Sequence, residues 1–224
     1  LVLLDNPQLA LERLEGLIMI DEIQRKPEIF PLLRYLTDQN PQQRYLILGS
    51  ASSSLKKQSG ESLAGRIGYH YLSGFNLSEA GHDRMNDLWL RGGFPRSFLA
   101  QDEKQSRIWR DNFIATFLER DLPMLEIRVP SNTMYRFWVM LSHYHGQTIN
   151  YSELARSFGM SDKTVKNYLS ILEDTFMIRQ LLPWYANVGK RLVKSPKIYI
   201  RDSGIFHALQ SINDTKELWT NPKV

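Results

Sequence analysis

The chain holds 224 residues and 26.1 kDa, enough for one large domain or two small ones. Its 42% apolar and 23% charged residues exclude a disordered or collagen-like chain, and with no cysteine it has no disulfide scaffold, thiolate zinc site or cysteine nucleophile. The net charge is a mild +4, the mean hydropathy is −0.35, and no apolar run approaches the ~18–20 residues of a membrane span, which together point to a soluble, cytoplasmic protein.

The opening Leu1-Val2-Leu3-Leu4 has neither an initiator Met nor a basic segment leading into an apolar core, and it reads as the edge of a piece cut from a longer protein. Leu17-Ile18-Met19-Ile20 is an apolar run closed by Asp21-Glu22, the pattern of a strand buried on both faces whose carboxyl end carries two acids. Pro27 to Thr37 places Ile29, Phe30, Leu32, Leu33 and Leu36 at helical spacing, with Pro27 suited to a first turn. Tyr45-Leu46-Ile47-Leu48 is then a second strand, ending in Gly49-Ser50. Strand, helix, strand predicts a βαβ crossover in a parallel sheet, with Asp21, Glu22 and Ser50 at the carboxyl edge where open sheets take their ligands. Ser52 to Gly60 is polar and reads as a loop, and Tyr69-His70-Tyr71-Leu72 as a further strand.

Helices take over next. Lys104 to Leu122 carries Ile108, Trp109, Phe113, Ile114, Phe117 and Leu118, while Thr133 to Tyr144 carries Met134, Phe137, Trp138 and Leu141 behind a capping Ser131. Their aromatic residues recur at helical spacing and are read as core. Gly92-Gly93-Phe94-Pro95 breaks any regular element, and a domain boundary is placed near Leu90. From Ile149 the pattern is that of a helix-turn-helix: Tyr151 to Phe158, a turn at Gly159-Met160-Ser161, and a longer helix from Asp162 to Asp174 capped by Ser161. Met177 to Leu182 and Lys197 to Ile200 then pair around a loop from Asn187 to Ser195, which completes a winged helix. The expected class is therefore α/β followed by mainly α, in three parts: 1–90, a helical linker or lid region at 91–145, and the winged helix at 146–224.

Charge drifts along the chain. Residues 1–90 hold 9 basic against 11 acidic side chains, residues 151–224 hold 11 against 7, and no acid lies between Thr175 and Arg201. Lys163 and Lys166 on the second helix, with Lys190, Arg191, Lys194 and Lys197 on the wing, are the candidate contacts to double-stranded DNA. A solvated face with no partner explains the same residues equally well.

Leu17 to Glu22 is also the apolar strand ending in Asp-Glu with which P-loop ATPases hold magnesium and polarise water. The alternative is a strand that ends in a solvated loop with two acids. A small polar residue at the end of the next strand, Ser50, favours the first, since it can hydrogen-bond the same water or the γ-phosphate. His70, His82, His143, His145 and His207 form no His-Glu-x-x-His motif, and neither a Gly-x-Ser-x-Gly elbow nor a dinucleotide fingerprint is present.

At this point the chain resembles the AAA-like P-loop ATPases of bacteria and archaea that join a P-loop domain to a C-terminal domain of unknown function. Seven segments carry the resemblance in order: Ile20-Asp21-Glu22-Ile23-Gln24, Leu48-Gly49-Ser50, Leu63-Ala64-Gly65-Arg66, Leu77-Ser78-Glu79, Gly92-Gly93-Phe94-Pro95, Glu119-Arg120-Asp121-Leu122 and Lys194-Ser195-Pro196-Lys197-Ile198-Tyr199. The resemblance implies that residues 1–90 are a truncated ATPase domain using ATP and Mg²⁺. It further implies that Asp21 and Glu22 are its Walker B pair, with Asp21 on the metal, that Ser50 is a sensor, and that Arg66 senses phosphate or acts as an arginine finger. One departure is plain: these 224 residues contain no Gly-x-x-x-x-Gly-Lys-Ser/Thr loop to supply the phosphate-holding amides and Lys. ATP hydrolysis is therefore expected only in a full-length parent, as a nucleotide-dependent switch coupled to the winged helix. The competing readings are a DNA-binding winged-helix regulator and a protein-interaction module with a protein client and no nucleic acid.

Overall fold

The computed structural model describes residues 5–49, 59–184 and 195–221, and the chain divides into two units, Leu1–Tyr71 and Leu72–Val224. The sequence reading instead divides the chain near Leu90 and again after His145.

In the first unit Asn6 caps a short helix, α1 (Pro7–Glu12), by accepting from the Leu9 amide at 3.1 Å. The strand β1 (Leu17–Ile20) leads through two 3₁₀ turns, the second opened by Pro27, into α2 (Phe30–Gln39). Then β2 (Arg44–Ile47) returns parallel to β1, in a register running from Leu17–Arg44 to Ile20–Ile47. This is the expected crossover. Its core holds Ile18 and Ile20 of β1, Phe30, Leu33 and Leu36 of α2, and Leu11 and Leu63. The strand is not buried on both faces, however: Leu17 and Met19 are 65% and 62% exposed, because the described residues cover only the side on which Ile18 and Ile20 lie. Nor is there a strand at Tyr69–Leu72. No described strand pairs with it, Tyr71 and Leu72 are exposed, and the Tyr69 hydroxyl lies 2.8 Å from that of Ser59.

The second unit begins with a one-turn helix, Leu77–Ala80, closed by a reciprocal capping box between Asn76 and Glu79. It continues through α3 (Met85–Arg91), α4 (Glu103–Thr116), α5 (Ser131–His143), α6 (Tyr151–Phe158) and α7 (Asp162–Asp174) to the strands β3 (Ile178–Leu181) and β4 (Lys197–Ile200). The helices α8 (Ser203–Leu209) and α9 (Thr215–Thr220) follow. Two details differ from expectation. The helix read as continuous to Leu122 widens into a π turn at Phe117–Asp121, and Phe117, Leu118 and Leu122 are all buried around it. Ser131 does not cap α5: its hydroxyl donates to the Leu118 carbonyl at 3.0 Å, and Pro130 holds the cap position. Core side chains of α5 (Met134, Phe137, Trp138, Leu141) pack in one cluster with those of α7 (Val165, Leu169, Leu172) and of the strands (Ile178, Ile198, Ile200).

Gly92-Gly93 is not a linker. Three stretches of chain cross there so closely that a Cβ on Gly74 would sit 2.5 Å from the Gly93 carbonyl carbon, and one on Gly204 would collide with the Arg91 backbone. Hydrogen bonds tie the crossing: Phe75 N donates to Gly93 O (2.7 Å), Gly93 N to Asp202 Oδ2 (2.8 Å), and Arg110 to the carbonyls of Leu90 (3.0 Å) and Gly204 (3.1 Å). His207, buried beside them, bonds the Leu90 carbonyl through Nδ1 at 3.1 Å, so that nitrogen carries the proton.

Burial, reinforced by nearby Arg110 and His145, pushes the His207 imidazole down to about 4, although the bond to Leu90 acts the other way. Native His207 thus stays neutral while the unfolded chain takes up a proton below pH ~6.5. Stability is accordingly lost as pH falls from about 6.5 to 4, by about 3 kcal/mol for this group. Burial lowers His145 in the same sense, whereas burial raises the Asp202 carboxyl and opposes the trend. Urea unfolding at pH 7 and pH 5 should show the loss in the wild type and a flatter pH dependence in His207→Asn. An equal slope in the two proteins would remove His207 as the cause.

Candidate functional site

The carboxyl edge of the β1–β2 pair is built by the ladder itself. Beyond the two strands, Leu48 N donates to Ile20 O at 2.8 Å and Ile23 N to Leu48 O at 3.2 Å. Asp21 and Glu22 are therefore held where β1 ends, beside Leu48-Gly49 where β2 ends, and both acids are exposed. Buried Ile23 pins the chain immediately after them. Between these anchors Glu22 takes the left-handed conformation (φ 54°, ψ 44°), and its amide donates to Asp21 Oδ1 at 2.9 Å. A non-glycine residue in this region carries backbone strain of order 1–2 kcal/mol.

Ser50 lies outside the described residues, as do Lys190, Arg191 and Lys194. Arg66 is not brought to the acids. Its guanidinium grips Asp38 with two hydrogen bonds, Nε to Oδ1 at 2.6 Å and a terminal nitrogen to Oδ2 at 3.1 Å. That bond holds the Asp38 carboxyl below the usual carboxylate range and raises Arg66. Asp38 occupies the last turn of α2, and a crossover helix carries the chain from the carboxyl end of one strand to the amino end of the next. Arg66 therefore sits at the edge of the sheet opposite Asp21 and Glu22. A cavity of about 470 Å³ also opens at that amino edge, lined by Glu15, Gly16, Leu17, Asn40, Gln42 and Arg44.

In the second unit α6 and α7 are joined by Gly159 in the left-handed conformation (φ 63°), where its side-chain-free backbone ends α6. Ser161 caps α7 by accepting from the Thr164 amide at 3.1 Å. Val165, Leu169 and Leu172 turn α7 onto the core, which leaves Lys163 and Lys166 exposed, the latter with Nζ 5.1 Å from the Tyr151 ring centre. β3 and β4 pair antiparallel, from Ile178–Ile200 to Leu181–Lys197, with Lys197 exposed. Glu173 of α7 fixes this pair to the helix, accepting from the Gln180 amide (3.0 Å) and side chain (2.7 Å). Among the described residues no group of three or more His, Asp or Glu is placed to hold a metal ion, and no helix is long and apolar enough to cross a membrane.

The family described as Domain of unknown function (DUF8612) matches residues 82–216, more than half of the chain. The chain belongs to the DUF8612 family. Ahead of that domain, residues 3–81 match an AAA domain, so the DUF8612 chain carries an AAA-like region that takes in the first unit and the start of the second. Two uncharacterized proteins, Mb2031c of Mycobacterium bovis and Rv2008c of Mycobacterium tuberculosis, are each 51% identical to it over 222 residues, 99% of this chain and 50% of theirs. The chain thus spans about half the length of the curated relatives it matches. No solved structure matches it.

Sequence reasoning missed the Asp202–Gly93 tie and the buried Arg110 and His207. The signal available was local: Asp202-Ser203-Gly204 opens a helix, and Gly92-Gly93 marks a backbone approached by another chain segment.

Proposed function

We propose that the first unit is the magnesium and water side of an ATP site in a longer protein, and that the second is a winged helix repositioned by nucleotide. The observation that carries this reading is the pair Asp21–Glu22, adjacent and exposed at the carboxyl edge of a parallel βαβ unit in an AAA-like region. Two exposed carboxylates at a strand end suit a hard cation that keeps most of its waters. Asp21 would hold Mg²⁺, chiefly through those waters, and Glu22 would orient a water in line with the terminal phosphate; bound ATP supplies the phosphoryl group. Ser50 is assigned the sensor position by its place after β2. A phosphate role for Arg66 requires release from Asp38 and a site other than the one its own Asp21 and Glu22 would form, as an arginine finger offered to a neighbour does.

The phosphate-holding loop must come from polypeptide outside these 224 residues, so hydrolysis is proposed for the longer protein. In that protein Asp21→Asn should lower the magnesium-dependent affinity for ATP by about tenfold, read by calorimetry with and without Mg²⁺. Equal affinities in wild type and variant would contradict the metal assignment.

A second reading assigns duplex DNA to α7, favoured by the exposure of Lys163 and Lys166 beside a buried apolar stripe. Lys197 would extend the contact, with Lys190, Arg191 and Lys194 contributing by sequence position; a protein client is the competing partner.

A further inference from the structure

The β3–β4 pair has two faces of different chemistry. In an antiparallel pair, directly opposed residues and those two apart share a face, so Ile178, Gln180, Ile198 and Ile200 lie on one side, and Arg179, Leu181, Lys197 and Tyr199 on the other. The isoleucines of the first face are buried in the core. On the second, Arg179 and Lys197 are exposed, Leu181 is 45% exposed, and Tyr199 is half-buried, its ring edge-on to His145 at 5.4 Å. The chain leaves β3 through Leu182 and Pro183 to Trp184, which is 81% exposed.

This face thus places two cations beside a tyrosine ring, and the chain beyond β3 carries a large, mostly exposed indole. No acid lies between Thr175 and Arg201, and among the described residues neither Arg179 nor Lys197 forms an ion pair. The partner should therefore be anionic and present flat apolar surface. Nucleic acid meets both demands, and its strandedness follows from stacking. Bases in a duplex already cover one another, whereas unpaired bases offer their faces to aromatic side chains while the backbone follows cations.

We infer that the outward face of the β3–β4 pair, with Arg179, Lys197, Tyr199 and Trp184, binds single-stranded nucleic acid. This surface is separate from the exposed stripe of α7 and does not depend on the nucleotide site of the first unit.

The test is fluorescence anisotropy of the 224-residue chain with a labelled oligothymidylate of about 12 nucleotides and, separately, a duplex of similar length, at about 50 and 200 mM salt. The oligothymidylate should bind more tightly than the duplex, and more weakly at the higher salt. Arg179→Glu and Lys197→Glu should each weaken it about tenfold or more, and Trp184→Ala by roughly 5- to 100-fold, with Trp184→Phe keeping most of the affinity. Lys163→Ala with Lys166→Ala should leave it within about twofold. All these side chains but Tyr199 are exposed, so circular dichroism should show each variant folded. No binding of the oligothymidylate at the lower salt overturns the inference. So does preferred duplex binding that depends on Lys163 and Lys166 and not on Arg179 or Trp184, which would instead support the reading of α7.

Discussion

Gly204→Ala is expected to destabilise the second unit by at least about 3 kcal/mol, the largest stability effect among the substitutions considered. A methyl group at this position would overlap the Arg91 carbonyl and crowd the Gly92 amide nitrogen, all backbone atoms with no flexible side chain able to yield. The backbone around it is equally fixed. The Gly204 carbonyl accepts from buried Arg110, the Gly93 amide is held by Asp202, and the Ile205 amide donates to the same carboxylate at 2.8 Å. Moving α8 away to admit the methyl would leave Arg110 and several peptide groups without partners in a dry interior, which costs more than the overlap relieves. Gly159→Ala is the comparison: Gly159 has positive φ, but nothing lies within 4 Å of a Cβ there, so only the left-handed strain of about 1–2 kcal/mol applies. Urea unfolding of the two variants should separate them clearly. Equal midpoints would mean that the crossing opens at little cost.

Much of the local structure was legible because it is written in periodicity and caps. The spacing of Phe30, Leu33 and Leu36 places α2, and Gly159 and Ser161 mark the end of α6 and the start of α7. These signals act over a few residues, so they survive without knowledge of the rest of the chain. Tyr69–Leu72 shows the limit: its residues suit a strand, but a strand exists only if another offers its edge, which is a tertiary fact. Leu17-Ile18-Met19-Ile20 shows the converse. Its four apolar residues read as buried on both faces, yet only Ile18 and Ile20 are buried, because alternate residues of a strand face opposite sides and α2 covers one of them.

The candidate site divides in the same way. Asp21 and Glu22 adjoin each other in sequence and end a strand, so their placement follows from one local element. Arg66 had no local signal to say which edge of the sheet it serves. Its partner is 28 residues away, on the turn of α2 that faces the amino edge. The buried Arg110, Asp202 and His207 were equally out of reach, since each is bonded to backbone groups near 90–94 or 204 whose proximity only the fold creates.

We propose that Glu22 orients the water that attacks ATP in the longer protein. Glutamine keeps the size and hydrogen-bonding reach of the side chain but lacks the charge that polarises water, so it separates binding from turnover. The decisive measurement is ATP affinity and steady-state turnover, in the presence of Mg²⁺, for the longer protein and its Glu22→Gln variant. The expected result is affinity within about threefold of wild type and turnover lower by ~100-fold or more, with no turnover from the 224-residue chain alone. Unchanged turnover in Glu22→Gln, with wild-type affinity, would contradict the assignment of Asp21–Glu22 as the catalytic edge.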